Sequence, residues 1–125
     1  MHLQTVSDFL ERHLRDVAQH DDHWLAISEL ADAFRQADEQ TRRVMIESAP
    51  RTIPPWDALF AAIVEDLCDE QGLVYPSWTT HLVSAKPFMA WPVSSAEGET
   101  ALRRATKKTY ARHNVFVPGN LLSRA

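Results

Sequence analysis

The stretch PWDALFAAIVEDLCDEQG, residues 55–72, limits what this chain can fold into more than any other part of it. Trp56, Leu59, Phe60, Ile63, Val64, Leu67 and Cys68 recur at three- and four-residue spacing, the period of an α-helix with one apolar side. PRTIPPW before it places Pro50, Pro54 and Pro55 in six residues, where missing N–H groups and steric restriction forbid a continuous helix. Pro55 suits a first helical turn, and Gly72 suits the left-handed residue that ends one. A helix this sharply bounded must be a central element. On the same wheel Glu65, Asp66, Asp69 and Glu70 fall on the face predicted to be solvated.

Helical spacing dominates elsewhere too. In TVSDFLERHLRDVAQ, Val6, Phe9, Leu10, Leu14, Val17 and Ala18 form one stripe, with Thr5 or Ser7 as cap. In DDHWLAISELADAFRQA, Trp24, Ile27, Leu30, Ala31 and Phe34 form the next, behind Asp21 or Asp22. Asp38 caps a short helix in EQTRRVMIESA. After Gly72, LVYPSWTTHLVSAKPFMAWPVSS reads as loop with one short helix starting at Ser77 or Thr79. AEGETALRRATKKTYAR then reads as one long helix. Its Leu102, Thr106, Thr109, Tyr110 and His113 lie on one side, with Arg103, Arg104, Lys107, Lys108 and Arg112 opposite. VFV, residues 115–117, counts as an extended link. The expected fold is all-α: one compact domain over residues 1–125 of about five or six helices, with a loop-rich aromatic segment and an extended C-terminal latch. Residues 1–49 form its acidic helical part. In the latch ARHNVFVPGNLLSRA, Asn114 takes a turn or cap role, and Phe116 and Leu121 are expected to bury against the 55–72 helix.

Composition excludes some classes. With 45% hydrophobic and 24% charged residues the chain is neither disordered nor membrane-embedded. No apolar run approaches the ~20 residues of a membrane helix. The charged N-terminal stretch does not read as a signal peptide. A lone cysteine, Cys68, fits a reducing cytoplasm and is expected as a buried small hydrophobe. The net charge of −4 conceals a split: residues 1–72 hold fifteen acids and six arginines, while residues 73–125 hold seven bases and two acids. Either the basic part folds onto the acidic part, or it offers a basic surface to a polyanion or an acidic partner.

Chemistry-bearing patterns are sparse. His20, Asp21, Asp22 and His23 have metal-ligating side chains at short spacing and are the candidate for a metal-dependent enzyme. They sit where a helix cap is expected and lack the i,i+4 histidine pair of a metalloprotease helix, so a solvated cap is the favoured reading. No serine lies in a nucleophile elbow, and three scattered glycines build no phosphate loop. No catalytic residue, metal or cofactor is therefore expected. Arg103, Arg104, Lys107, Lys108 and Arg112 are the candidate contacts for an acidic partner or nucleic acid. Trp56, Trp78 and Trp91 either staple loops to the core or anchor an interface.

From Trp56 onward the order of elements resembles a helical domain of uncharacterised function found in actinobacterial proteins. The matching positions are Trp56, Leu59, Ala62 and Glu65; Pro76 and Trp78; Trp91; and Asn114, Val115, Phe116, Leu121 and Ala125. In those proteins the domain often follows a phage-repressor-type helix-turn-helix, and they act as transcriptional regulators or antitoxin-like partners of a nucleotidyltransferase-like toxin. Residues 50–125 carry the likeness; the first fifty show no helix-turn-helix. The resemblance thus implies a cytoplasmic, non-catalytic, antitoxin-like module that binds a protein partner, or a homodimer. A nucleic-acid-binding regulator using residues 100–112 is the alternative, and a metal-dependent enzyme at His20–His23 a second.

Overall fold

A computed structural model of the chain describes residues 22–49 and 54–122, with side chains in the first helix from Ile27 onward. The described residues are all-α: α1 (Asp22–Gln36), α2 (Glu39–Ile46), α3 (Trp56–Gln71), a 3₁₀ turn (Ser77–His81), α4 (Ala96–Ala105) and α5 (Lys108–Ala111). Two short strands, β1 (Phe88–Met89) and β2 (Val115–Phe116), pair in parallel, Phe88 opposite Val115 and Met89 opposite Phe116. The amphipathic stretch at residues 5–18 and the caps proposed for it lie outside the described residues.

Helix α3 is the axis. Eleven consecutive residues, Ala58 to Cys68, are buried, and α1, the 3₁₀ turn, α5 and β2 all touch this helix. Ala58, Ala61 and Ala62 leave room for neighbours on the sides that a one-stripe wheel assigns to water. A helix apolar all round belongs inside. The C-terminus follows the sequence reading: Gly72 has φ +69°, and its N–H bonds the Cys68 carbonyl. At the other end α3 begins at Trp56, with Pro55 in the cap position rather than inside the first turn.

Of the expected α1 stripe, Ile27, Leu30, Ala31 and Phe34 are buried in the core, and the side chain of Trp24 lies outside the described residues. Asp38 caps α2 by accepting from the Thr41 N–H at 2.7 Å. Arg42 then reaches back to the last carbonyls of α1, bonding Phe34 O at 2.8 Å and also Arg35 O. Met45 and Ile46 close that side of the core, and Trp78 Nε1 donates to the Ile46 carbonyl at 2.8 Å. Trp56 meets the Phe88 ring edge-on, with centroids 5.3 Å apart. These two tryptophans do staple irregular chain to the core. Trp91 stays 40% exposed.

The sequence reading of one helix over residues 96–112 is corrected. Thr106 and Lys107 adopt extended backbone, ψ 128° and 152°, and split the run into α4 and α5. Thr106 explains the stop: its hydroxyl bonds the Leu102 carbonyl at 2.8 Å and the Val117 carbonyl and N–H at 2.9 and 3.1 Å. Local side-chain bonding of this kind competes with helix continuation. The break turns α5 so that Lys107 and Arg112 no longer share the outward face of Arg104.

The latch is also corrected in register. Asn114, with φ +61°, takes the left-handed turn, and strand alternation then points Val115 and Val117 into the core, both fully buried. Phe116 is buried on the opposite side, its ring 4.6 Å from the Arg103 guanidinium carbon, and Leu121 is only partly buried beside Leu122. Gly119 is required at the following turn, because a Cβ there would sit 2.8 Å from the Ala105 carbonyl oxygen. The register predicts that Val117→Thr, which buries a hydroxyl, costs about 1–3 kcal/mol in urea unfolding. Phe116→Leu should cost less than about 1.5 kcal/mol by the same measurement.

Candidate functional site

The site assembles where the acidic α3 meets the basic C-terminal third. Helical spacing puts Glu65 and Asp66 a turn before Asp69 and Glu70. The sequence reading made all four solvated; two of them are not. Glu65 is 1% exposed and Asp66 9%, because α5 and the 3₁₀ turn pack over that side of α3. Asp69 and Glu70 do remain exposed.

Each buried carboxylate is matched by donors from the C-terminal third. Glu65 Oε1 accepts from His113 Nε2 at 2.7 Å and from Arg112 Nη2 at 2.9 Å. Burial alone would raise the carboxyl's affinity for a proton, but the bonds from His113 and Arg112 outweigh it and hold Glu65 below the ordinary carboxylate range. Asp66 accepts from Tyr110 Oη at 2.8 Å and from Lys107 Nζ at 3.3 Å. Burial and the adjacent Asp66 charge push the Tyr110 phenol well above its usual range, which keeps it a donor. Further out, Tyr75 Oη donates to Asp69, Arg112 Nη2 donates to Tyr75 Oη, and Thr109 bonds the other Asp69 oxygen at 3.4 Å. Arg35 of α1 forks onto Glu70 at 2.6 and 2.9 Å and donates to the Leu122 carbonyl at 2.7 Å.

Glu65, Tyr75, Thr80, Arg112 and His113 line an open cleft of about 320 Å³. Its groups are types used in acid–base catalysis, yet their lone pairs and protons are spent on one another. His113 is 2% exposed, and its second ring nitrogen, Nδ1, faces the Leu82 carbonyl at 2.5 Å. Neither ring nitrogen is left to take a proton from a bound molecule, a geometric requirement of a general base. No buried side-chain nitrogen or oxygen among the described residues lacks a partner. The cleft therefore has the geometry of a structural tie.

The five basic candidates divide. Lys107 and Arg112 are consumed by Asp66 and Glu65, and Arg103 pairs with Glu99 at 3.1 Å. Arg104 and Lys108 are exposed and form no ion pair among the described residues. Of the aromatic and apolar anchors, Trp91 and Leu121 come together with Ser28, Pro118 and Asn120 around a surface groove of about 480 Å³. Trp56, Trp78 and Phe116 serve packing. Among the described residues no group of His, Cys, Asp and Glu is placed to hold a metal ion. His20 and Asp21, and the side chains of Asp22 and His23, lie outside the described residues. Cys68 is buried as read, and burial pushes its thiol up to about 11.

No protein-family model, curated protein or solved structure matches this chain. The burial of Glu65 and Asp66 had a legible signal, the LFAAIV run around which no face of α3 is polar for a full turn. The pairing of Lys107 with Asp66 had none, since it depends on the break at Thr106. Glu65→Gln should lower stability by about 3–5 kcal/mol, because it strips the charge that faces Arg112 and His113. The folded carboxyl sits below its unfolded value, so its contribution is present above the carboxylate range. That contribution is lost as the pH falls through the folded value. The wild type should lose stability on acidification more steeply than Glu65→Gln in pH-resolved thermal melts. Cys68 should stay unreactive to a thiol reagent at neutral pH until the protein unfolds.

Proposed function

We propose that this chain is a non-catalytic, antitoxin-like interaction or regulatory module that binds a protein partner. A nucleotidyltransferase-like toxin is the partner class suggested by the likeness of residues 50–125 to antitoxin-like proteins. The observation that carries the reading is the contrast between two surfaces. In the cleft rich in titratable groups, donors and acceptors are spent on one another. The groove at Ser28, Trp91, Pro118, Asn120 and Leu121 instead lines its walls with apolar and small polar side chains. Tryptophan is enriched among the residues that anchor protein interfaces. A site of action in the cytoplasm, where Cys68 stays a thiol, fits this role, and among the described residues no helix is long and apolar enough to cross a membrane.

Nucleic-acid binding is the weaker reading. Neutralising phosphate needs several accessible bases, and only Arg104 and Lys108 of the five are without an ion-pair partner among the described residues. The discriminating experiment is affinity purification from the native host with wild type and Trp91→Ala. The expected result is one stoichiometric protein partner, bound at least about 30-fold more weakly by the variant, which should still unfold in a cooperative melt. A chain that brings down no such partner, and instead shifts DNA with a steep salt dependence, contradicts the proposal.

A further inference from the structure

Helix α4 is held from one side only. Leu102 is its single buried residue, and the neighbouring Arg103 is committed to Glu99 at 3.1 Å and to the face of the Phe116 ring. Whereas α1, α5, the 3₁₀ turn and β2 pack broadly on α3, α4 does not. It begins at a well-made cap, with Ser95 Oγ accepting from the Gly98 N–H at 3.0 Å, and stops at Thr106. A helix of ten residues is marginal by itself in water and draws its stability from packing.

On the side away from Leu102, Glu97, Thr100, Ala101 and Arg104 follow one another at three- and four-residue spacing. All four are exposed, and with Ala96 they border a shallow hollow of about 360 Å³. Glu97 and Arg104 form no ion pair among the described residues. Their own helix cannot supply one. The positions three and four residues from each charge, where a helical partner would stand, are Thr100 and Ala101. Seven residues separate the two charges, about 10 Å along the axis, which is too far for them to pair with each other.

This face complements itself. When a second α4 is turned end for end about a twofold axis between Thr100 and Ala101, its Arg104 lies over Glu97 and its Glu97 over Arg104. Only the short side chains of Thr100 and Ala101 stand between, so the two helices can approach closely, and their dipoles run opposed. A parallel copy would bring like charges together. A strand of phosphates would meet Arg104 but be repelled by Glu97. The occupant that satisfies both charges is a second copy of this chain.

We propose that α4 is the face through which two copies of this chain associate, antiparallel, with Glu97 of each paired with Arg104 of the other. The contact is isologous, so each residue pair occurs twice. Exposed ion pairs contribute little apiece and the face is narrow, so the dimer is weak, concentration-dependent and sensitive to salt. This inference rests on the charge layout of α4 and is independent of the Trp91 groove and of what binds there.

The test is sedimentation velocity on the intact chain from about 10 μM to about 1 mM. The wild type should shift from monomer toward dimer over that range and return toward monomer in about 1 M salt, where charges are screened beyond about 3 Å. Glu97→Arg and Arg104→Glu each oppose like charges twice, and each should raise the dissociation constant at least about tenfold while still unfolding cooperatively. The milder Glu97→Gln and Arg104→Gln should weaken the dimer about threefold each. An equimolar mixture of Glu97→Arg with Arg104→Glu restores unlike charges at both contacts, and should dimerise to within about threefold of wild type. A wild type that stays monomeric throughout would overturn the proposal, whether α4 is covered by another part of the chain, by a different protein or by nothing. A dimer indifferent to both reversals, or a mixture that stays monomeric, would overturn it equally.

Discussion

The arrangement of this molecule depends on one carboxylate. Glu65 stands on a helix buried all round, and its charge survives there because His113 and Arg112 donate to the same oxygen. An ion removed from water loses several kcal/mol of hydration, so it must be met by close, well-directed donors. Those donors come from the opposite end of the sequence. Satisfying Glu65 therefore fixes where α5 lies, and with it the point at which the latch leaves for the core. Asp66, one residue on, repeats the device with Tyr110 and Lys107. The charge split between residues 1–72 and 73–125 finds its physical meaning in these contacts: the basic part folds onto the acidic part. Arg35, forked onto Glu70 and bonded to the Leu122 carbonyl, ties the two ends of the described structure in the same way.

The latch shows how a short apolar segment can be held without a real sheet. Two residue pairs of parallel ladder are too few to stabilise themselves. The segment is fixed instead by its flanks: the left-handed turn at Asn114, the Thr106 hydroxyl on Val117, and the tight approach of Gly119 to Ala105. Between those points, alternation buries Val115 and Val117 and leaves Phe116 to the Arg103 guanidinium.

Where periodicity and capping chemistry carry the information, the sequence is a sound guide. The α1 stripe, the Asp38 cap, the Gly72 stop, the buried Cys68, the Asn114 turn and the all-α class can each be read from local patterns. The errors share one cause. A helical wheel assigns one wet face to every helix, and α3 has none over most of its length, so Glu65 and Asp66 were placed in water. The same wheel, run without a break through Thr106, put Lys107 and Arg112 on a free basic stripe. Only tertiary contact decides that break, because the Thr106 hydroxyl finds its partner at Val117, eleven residues away. Of the candidate contact residues, Arg104 and Lys108 form no ion pair among the described residues, and Trp91 and Leu121 line the surface groove; Lys107, Arg112, Arg103, Trp56, Trp78 and Phe116 have structural work.

The functional reading follows from that division of labour. The titratable groups of the cleft are committed to holding α3, α5 and the latch together, and the groove at Trp91 and Leu121 is lined by apolar and small polar side chains. A double-mutant cycle in equilibrium unfolding tests this most directly, pairing Glu65→Gln with His113→Gln. If the buried pair is the tie, the two losses should overlap, with a coupling energy above about 1 kcal/mol. Losses that add to within about 0.5 kcal/mol would contradict the account.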